Sequence, residues 1–240
     1  MSGEVLEKLT DPAGQRAGAR SRVYAAFAEM FEYPDEEYVE AVRSGTLAEA
    51  LREVLANVDP SLVEGADSNW EALSNAGDGE DDLAVEFTRL FDVGASGPPC
   101  PLYGGLYGGA RMKTMEEAVR FYNHFGLTLS ESPRELPDHL TTELEFLHFL
   151  AFREAQTLEQ GDDPGAFQRA QRDFLARHLG RWIPKMREKM ERGNPMPFFL
   201  ELVRQLERFI VNDGAHLVGV AGPPPPPGAT PSPEPDSKPH

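Results

Sequence analysis

The stretch ELPDHLTTELEFLHFL, residues 135–150, contains the side chains of this sequence that are best suited to chemistry. Two histidines and four acids lie there among Leu and Phe, at what the pattern predicts to be the opening of a helix. Such a set could bind a metal ion, provide an acid/base pair, or form a polar docking point for another molecule. The rest of the chain has to decide among these three kinds of site.

A metal site is the sharpest of these hypotheses. Glu145 and His148 have the Glu-x-x-His spacing that di-iron helical bundles use twice. The residues three positions before the other five histidines are Phe121, Leu136, Leu175, Asp213 and Ser237. Only Asp213 is acidic, and it lies in what the sequence predicts to be a glycine-containing terminal turn, so a second Glu-x-x-His pair is missing. No metal or other cofactor is therefore predicted. A structural role is favoured for His148, and a di-iron carboxylate-type helical enzyme that uses Glu145 and His148 remains the alternative.

Nucleophilic and phosphate-binding chemistry have weaker support. Cys100 is the single cysteine and lies in a proline-rich loop without an assignable base nearby in sequence, which argues against a catalytic thiol. The segment YGGLYGG, residues 103–109, lacks both the Lys-Ser/Thr pair of a phosphate-binding loop and a preceding strand. Its glycines are better explained by a backbone that turns tightly and lies against a partner, with Tyr103 and Tyr107 presenting their rings.

Composition restricts the class of partner and the compartment. The 23 basic and 40 acidic residues give a net charge of −17, which argues against nucleic acid because phosphate binding needs clusters of Lys and Arg. One cysteine cannot form an internal disulfide, and residues 1–20 lack the apolar segment of a secretory signal. No apolar run approaches the ~18 residues expected of a membrane span. We therefore expect a cytoplasmic protein without stable membrane insertion.

Helical periodicity dominates the sequence between two polar ends. Apolar residues recur at three- and four-residue steps and no alternating β-branched strand is found, so the fold class is predicted to be all-α with roughly nine helices. The predicted domain is a single helical unit over residues 20–215. Residues 1–19 and the proline-rich residues 216–240 are expected to be disordered. The proline run could also be a ligand for an aromatic-lined groove, although a solvated tail is the simpler interpretation.

Two segments are expected to position the candidate residues. The first is a long irregular loop, dense in Gly and Pro, over residues 97–111, and the second is a helix from about Pro137 to Gln160. This helix is apolar nearly all round, which is typical of a central helix whose polar groups need partners. Asp138 is interpreted first as the N-cap of this helix, since its carboxylate can accept from free backbone N–H groups.

Four motifs together resemble one known family. They are EFTRLF, the loop CPLYGGLYGG, YNHFGL and, above all, PDHLTTELEFLHFL. Over about residues 20 to 212 the chain is similar to the TorD/DmsD/NarJ family of chaperones for molybdenum redox enzymes, and within it to the chaperones of dimethyl sulfoxide reductase-like complexes. The resemblance implies an all-helical, non-enzymatic cytoplasmic chaperone without a metal site. Its partner would be the apo catalytic subunit of a molybdopterin-dependent oxidoreductase, bound through its N-terminal twin-arginine leader while the cofactor is inserted.

The resemblance also assigns individual residues. The Asp and His of the family motif, which are implicated in signal-peptide binding, fall on Asp138 and His139. The proline and aromatic positions of the loop fall on Pro101, Tyr103 and Tyr107. This sequence departs from members whose loop reads Pro-x-x-Ser-Val-Tyr or carries Trp, because it has PLYGGLY instead, so its loop presents different side chains.

The chemistry of a twin-arginine leader fits these positions. Such a leader has a basic segment followed by an apolar one, so its receptor needs carboxylates beside an apolar groove. Asp138 and Glu143 are the candidate carboxylates, because a planar guanidinium can bond a carboxylate bidentately. The candidate groove lining consists of Tyr103, Tyr107, Phe146 and Leu150. We therefore predict that the loop 97–111 and the start of the 137–160 helix form one peptide-binding surface.

His139 adds a hypothesis about pH, because it could make peptide binding pH-sensitive near its unperturbed pKa of about 6.5.

A third class of function also stays open, namely a general adaptor that binds helices through apolar grooves and has no redox client. A pull-down that lacks any molybdoenzyme subunit would favour the adaptor.

Overall fold

A computed structural model of the protein describes residues 6, 8–65, 67–94, 97–128 and 136–225. Most of the proline-rich tail and the first residues of the chain, for which disorder is predicted, lie outside these ranges. The segment that leads into the long predicted helix, residues 129–135, lies outside them as well.

Within the described residues the secondary structure consists of helices, without a β-strand. The α-helices are α1 (Pro12–Met30), α2 (Glu36–Arg43), α3 (Thr46–Val58), α4 (Asp67–Ala72), α5 (Asp82–Phe87), α6 (Arg111–His124), α7 (Leu140–Glu159), α8 (Gly165–Arg177), α9 (Leu179–Arg192) and α10 (Pro197–Ala221). A π-helical turn (Thr88–Asp92) continues α5, and 3-10 turns occur at Pro60–Val63 and Gly104–Leu106. The prediction of an all-α fold is confirmed, with a helix count close to the expected nine.

The first helix begins earlier than the sequence predicts. The expected start of the folded domain is residue 20, but α1 begins at Pro12. Asp11 caps it by accepting from the backbone N–H of Gly14 at 2.6 Å, and proline is favoured at a first helical position. Gly14 lies close to α7, where a Cβ would be 3.4 Å from the carbonyl oxygen of Ala155. The boundary is corrected because close packing against α7 orders a polar, glycine-containing segment.

The last helix extends beyond the predicted boundary at residue 215. It continues to Ala221, and Leu217 within this extension is fully buried. Arg172 from α8 donates to the backbone carbonyl oxygens of Ala221 and Gly222, at 2.5 and 3.2 Å. These bonds satisfy acceptors that a helix C-terminus leaves free. Because the donor belongs to α8, these hydrogen bonds cannot be predicted from the composition of residues 216–222, and the helix end was placed too early.

A large hydrophobic core joins the helices into a single domain, and a smaller cluster of Leu6, Leu9, Ala17 and Ala155 lies beside it. α7 packs along α1 and also contacts α8, while α10 packs against α8 and α9. The core cluster takes buried side chains from every helix from α1 to α10. None of the described helices combines the length and apolarity that a membrane crossing requires.

The helix α7 lies at the centre of this core, as its apolar character predicts. Its fully buried leucines are Leu140, Leu144, Leu147 and Leu150. Phe146 is also buried, and its ring centroid lies 4.8 Å from those of both Tyr122 and Phe174. The start of α7 therefore carries candidate site residues on a helix that has little freedom to move.

A buried ionic network connects four helices. The Arg20 guanidinium of α1 has no exposed surface and bonds the carboxylate of Asp213 on α10. It also donates to Glu154 on α7 at 2.8 Å and to the side-chain oxygen of Gln171 on α8 at 2.6 Å. The hydroxyl of Tyr24 donates to Asp213 at 2.5 Å. Buried charges persist when they are paired and hydrogen-bonded in this way.

Candidate functional site

The loop of residues 97–110 pairs with the chain just before α7. The backbone N–H of Gly104 donates to the carbonyl oxygen of Asp138 at 2.8 Å. Tyr103 and His139 form an isolated antiparallel bridge, and their rings meet edge to face with centroids 4.9 Å apart. The structure thus places the two segments of the predicted peptide-binding surface side by side.

The contact between the loop of residues 97–110 and the start of α7, residues 138–140, is called the junction below. The carboxylate of Asp138 lies inside it. Its side chain has no exposed surface, and Oδ2 accepts from the backbone N–H of Gly105 at 3.1 Å. The other oxygen, Oδ1, has no hydrogen-bond partner among the residues that the structure describes. The guanidinium of Arg111 lies close by, with its Nε 3.9 Å from Oδ2. A buried carboxylate with so few bonds favours a further cationic partner.

The N-cap of α7 is His139 rather than Asp138, which corrects the first interpretation of the carboxylate. His139 has an extended backbone with φ −75° and ψ 142°, and its Nδ1 accepts from the backbone N–H of Thr141 at 3.4 Å. The helix starts one residue later than a cap at Asp138 requires, because the backbone N–H of Leu140 bonds the carbonyl oxygen of Leu102 at 2.8 Å. The Asp138 carboxylate is therefore left to face the loop.

The imidazole of His139 does not titrate where the sequence predicts. Burial lowers the pKa of His139 to about 4. Nδ1 lies 2.8 Å from the hydroxyl of Thr141, a contact that the neutral ring can make. The hypothesis of a pH switch near 6.5 is wrong for this reason, because the neutral form persists well below that pH.

Glu143 lies beneath the junction, in the core. Its side chain has no exposed surface, and Oε2 accepts from the indole N–H of Trp182 at 2.9 Å. Oε1 is 3.2 Å from Nδ1 of His178, in an orientation that does not align a hydrogen bond. Burial raises the pKa of Glu143, while His178 and Trp182 act in the opposite direction. This carboxylate interacts with α9 and its junction with α8, not with solvent.

Tyr107 turns its ring inward, toward α9. The ring stacks on that of Trp182 with centroids 5.3 Å apart, and only 7% of the residue is exposed. Burial raises the pKa of Tyr107 above its ordinary range. Lys185 donates to its carbonyl oxygen at 3.0 Å, and the Lys189 ammonium lies 5.3 Å from the ring centroid. Tyr107 therefore anchors the loop to α9.

The remaining predicted residues are also buried. Pro101 is buried in the loop, and Phe146 and Leu150 lie in the core. Of the eight candidate residues, only Tyr103 and His139 are half-buried rather than buried. A groove lining needs accessible surface, which Phe146 and Leu150 do not have in this structure.

Exposed side chains next to the junction come from residues that the sequence analysis did not select. Arg111, the first residue of α6, has a side chain that is 42% exposed, and its guanidinium carbon lies 5.5 Å from the ring centroid of Tyr103. Leu106 and Met112 are 46% and 66% exposed. Apolar residues within and just after a loop of Gly and Tyr are the sequence signal that could have suggested Leu106 and Met112.

Two buried partners were missed for a different reason. Trp182 and His178 lie 39 and 35 residues from Glu143 in the sequence, on and just before α9. His178 has neither ring nitrogen hydrogen-bonded within the described residues, and its ring stacks on Phe174 with centroids 4.3 Å apart. No spacing rule connects them to α7, so only the tertiary structure identifies them.

The metal alternative rests on Glu145 and His148, which the structure places on the middle of α7. Nδ1 of His148 is 2.8 Å from the hydroxyl and 2.9 Å from the carbonyl oxygen of Ser21 on α1. Over the described ranges, no group of three or more His, Cys, Asp or Glu side chains could hold a metal ion. His148 has the structural role that the sequence favoured, since it joins α7 to α1.

Cys100 lies in the core, with no exposed surface. Burial raises the pKa of its thiol, so the reactive thiolate is disfavoured. Its backbone N–H donates to the carbonyl oxygen of Leu90 at 2.8 Å, which attaches the loop to the π-helical turn. The residue serves the fold of the loop.

Comparison with known proteins gives a consistent family. The model of the family described as nitrate reductase delta subunit matches residues 44–188. The chain is 35% identical to the perchlorate reductase assembly chaperone protein of Dechloromonas aromatica over 201 residues, which cover 83% of this chain and 88% of that protein. It is 37% identical to the chlorate reductase assembly chaperone protein of Ideonella dechloratans, over 70% of this chain and 75% of the relative.

A third relative carries one of the family names that the motifs suggested. The chaperone protein TorD of Vibrio parahaemolyticus is 30% identical over 207 residues, which cover 83% of this chain and 95% of that protein. The residues that the family model matches include the loop and the start of α7. The chain therefore belongs to the nitrate reductase delta subunit family, and the predicted membership of the TorD/DmsD/NarJ family is confirmed.

Proposed function

We propose that this protein is a cytoplasmic chaperone that binds the apo catalytic subunit of a molybdopterin-dependent oxidoreductase. It recognises the N-terminal twin-arginine leader and retains the subunit while the cofactor is inserted. The family supports the general role, since relatives over most of the chain are named as assembly chaperones of perchlorate and chlorate reductases. The leader as the point of contact is supported by the chemistry of the junction between the loop and α7.

One observation carries the proposal, which is the state of the Asp138 carboxylate. It is fully buried next to the half-buried rings of Tyr103 and His139, and one of its oxygens has no bond within the described part of the chain. A guanidinium can bond both oxygens of a carboxylate and stack on an aromatic ring, so an arginine side chain satisfies this arrangement. The exposed apolar residues Leu106 and Met112 suit the apolar segment that follows the arginines.

The proposal changes the roles of the buried candidate residues. Glu143, Tyr107 and Trp182 bond or stack with one another below the loop, so they hold the loop against α7 and α9. Phe146 and Leu150 pack the core under the start of α7. These residues act on the peptide through the shape of the junction and not by direct contact.

The direct test is calorimetry with the twin-arginine leader peptide of a molybdoenzyme catalytic subunit. Asp138→Asn keeps the shape of the side chain and removes its charge. We expect a roughly tenfold to hundredfold loss of affinity, because hydrogen bonds to charged groups contribute about 1.5–3 kcal/mol. The matched control is Glu116→Gln, which removes an exposed acid from α6 and leaves affinity within about twofold.

Two results would reject the assignment. If Asp138→Asn combined with His139→Ala leaves the affinity unchanged in a folded protein, the peptide does not bind at this junction. If co-purification followed by mass spectrometry recovers no molybdoenzyme subunit, the chaperone role itself fails and the general adaptor becomes the better description.

A further inference from the structure

Arg111 covers the carboxylate that the proposed ligand needs. Its Nε lies 3.9 Å from Oδ2 of Asp138, and its guanidinium carbon lies 5.5 Å from the ring centroid of Tyr103. The protein thus already places one of its own arginines against the carboxylate and the ring that suit a foreign arginine. The two side chains differ sharply in exposure, since that of Arg111 is 42% exposed and that of Asp138 is fully buried.

This internal contact is weak by its geometry. A separation of 3.9 Å is too long for a hydrogen bond, and Oδ1 of Asp138 keeps no bond within the described residues. Arg111 is also the first residue of α6, where the positive end of the helix dipole disfavours a cation. Solvent also reaches the 42% exposed side chain of Arg111 and screens its attraction to the carboxylate. Arg111 is therefore held loosely enough to be exchanged.

The backbone around the pair is fitted closely to it. Gly105 lies between the two side chains, and a Cβ at this position would be 2.8 Å from both Cγ of Arg111 and Oδ2 of Asp138. Its N–H donates to the same Oδ2 at 3.1 Å. Gly105 and Arg111 both lie against Oδ2, so a guanidinium that bonds this oxygen competes with the arginine side chain for the same space.

We infer that Arg111 occupies the guanidinium site of Asp138 in the free protein and that an arginine of the leader replaces it on binding. The inference rests on the proposed function and adds a residue that competes with the ligand for the carboxylate. An incoming guanidinium gains by bonding both carboxylate oxygens, whereas Arg111 bonds neither. A lysine ammonium cannot form the same bidentate pair and stacks less well, so exchange favours arginine over lysine.

The test compares Arg111→Gln with Lys113→Gln by calorimetry against the twin-arginine leader peptide and its twin-lysine version. Both variants remove one positive charge from exposed positions of α6, so long-range repulsion of the basic peptide falls equally. Only Arg111→Gln uncovers Asp138. We expect it to raise affinity for the arginine peptide about threefold to tenfold beyond the Lys113→Gln control, and to raise affinity for the lysine peptide by the same factor, because Arg111 blocks the site equally for both peptides.

The outcomes separate this inference from the proposed function. If Asp138→Asn weakens binding in the unmodified protein but Arg111→Gln behaves like Lys113→Gln or binds more weakly, the displacement model is overturned and the peptide site survives. If Asp138→Asn has no effect, both fail together. The gain from Arg111→Gln must also disappear when Asp138→Asn is added, because without the carboxylate there is nothing to uncover. Thermal unfolding of each variant verifies that it is folded.

Discussion

Burial keeps the His139 imidazole neutral over the pH range in which an exposed histidine titrates. Its pKa is lowered to about 4, against an ordinary value near 6.5. We therefore expect peptide affinity to show no inflection from His139 between pH 5.5 and 8. Calorimetry across this range provides the measurement, and an inflection that His139→Gln removes would contradict the expected burial.

The same shift predicts how stability depends on pH. Between about 4 and 6.5 the unfolded chain binds a proton at His139 and the folded chain does not, so the contribution of this residue is present above 6.5 and is lost as pH falls toward 4. Because the ring is half-buried, we expect a change of about 1–2 kcal/mol. Urea unfolding of His139→Gln should show a weaker loss than the unmodified protein, while the exposed His124→Gln should leave the loss unchanged.

Individual residues show what sequence reasoning reaches at this scale. Asp138 and His139 were selected from the sequence because they occupy fixed positions in a motif, and such positions can be recognised without a structure. The helical pattern placed Glu143 near these two residues but could not predict that its side chain is fully buried. Depth depends on Trp182 and His178 of the α8–α9 region, which cover this side of α7 and are remote in sequence. A helical pattern fixes the angle of a side chain around its axis, and only the neighbouring elements decide whether that angle faces solvent.

At the scale of elements, the contact between the loop and α9 depends on Gly104. A Cβ at this position would lie 2.7 Å from the indole nitrogen of Trp182, closer than packing allows. We expect Gly104→Ala to push the turn away from α9, lower the free energy of unfolding by about 1–3 kcal/mol and weaken peptide binding. Chemical denaturation and calorimetry measure the two effects.

A matched glycine provides the control for this element. Gly219 is exposed on α10 and a Cβ there would meet nothing within 4 Å. Gly219→Ala should raise the free energy of unfolding by about 0.5–1 kcal/mol and leave peptide affinity unchanged. If Gly104→Ala behaves in the same way, the close fit of the loop against Trp182 has no functional importance.

Elements differ in how far their own sequence determines them. The helix predicted from about Pro137 to Gln160 is found at Leu140–Glu159, because its apolar period and its length are local properties. The 3-10 turn at Gly104–Leu106 was not predicted, since it depends on backbone bonds to the segment before α7. The early start of α1 at Pro12 was missed because packing against α7, not composition, orders that segment.

At the scale of the whole molecule, one arginine holds four helices together. The partners of Arg20 lie 134, 151 and 193 residues away in the sequence, so no local sequence pattern predicts the network. Arg20 is the cation between the carboxylates of Glu154 and Asp213, both of which are buried. Removing it leaves two buried negative charges without their partner, and breaking a buried pair in this way costs about 3–5 kcal/mol.

We therefore expect Arg20→Met to lower the free energy of unfolding by about 3–5 kcal/mol in denaturant titrations. Arg16→Met, which removes an exposed arginine from the same helix, should change it by less than about 0.5 kcal/mol. If Arg20→Met lowers the free energy of unfolding no more than Arg16→Met does, the ionic bonds of Arg20 contribute nothing measurable to stability.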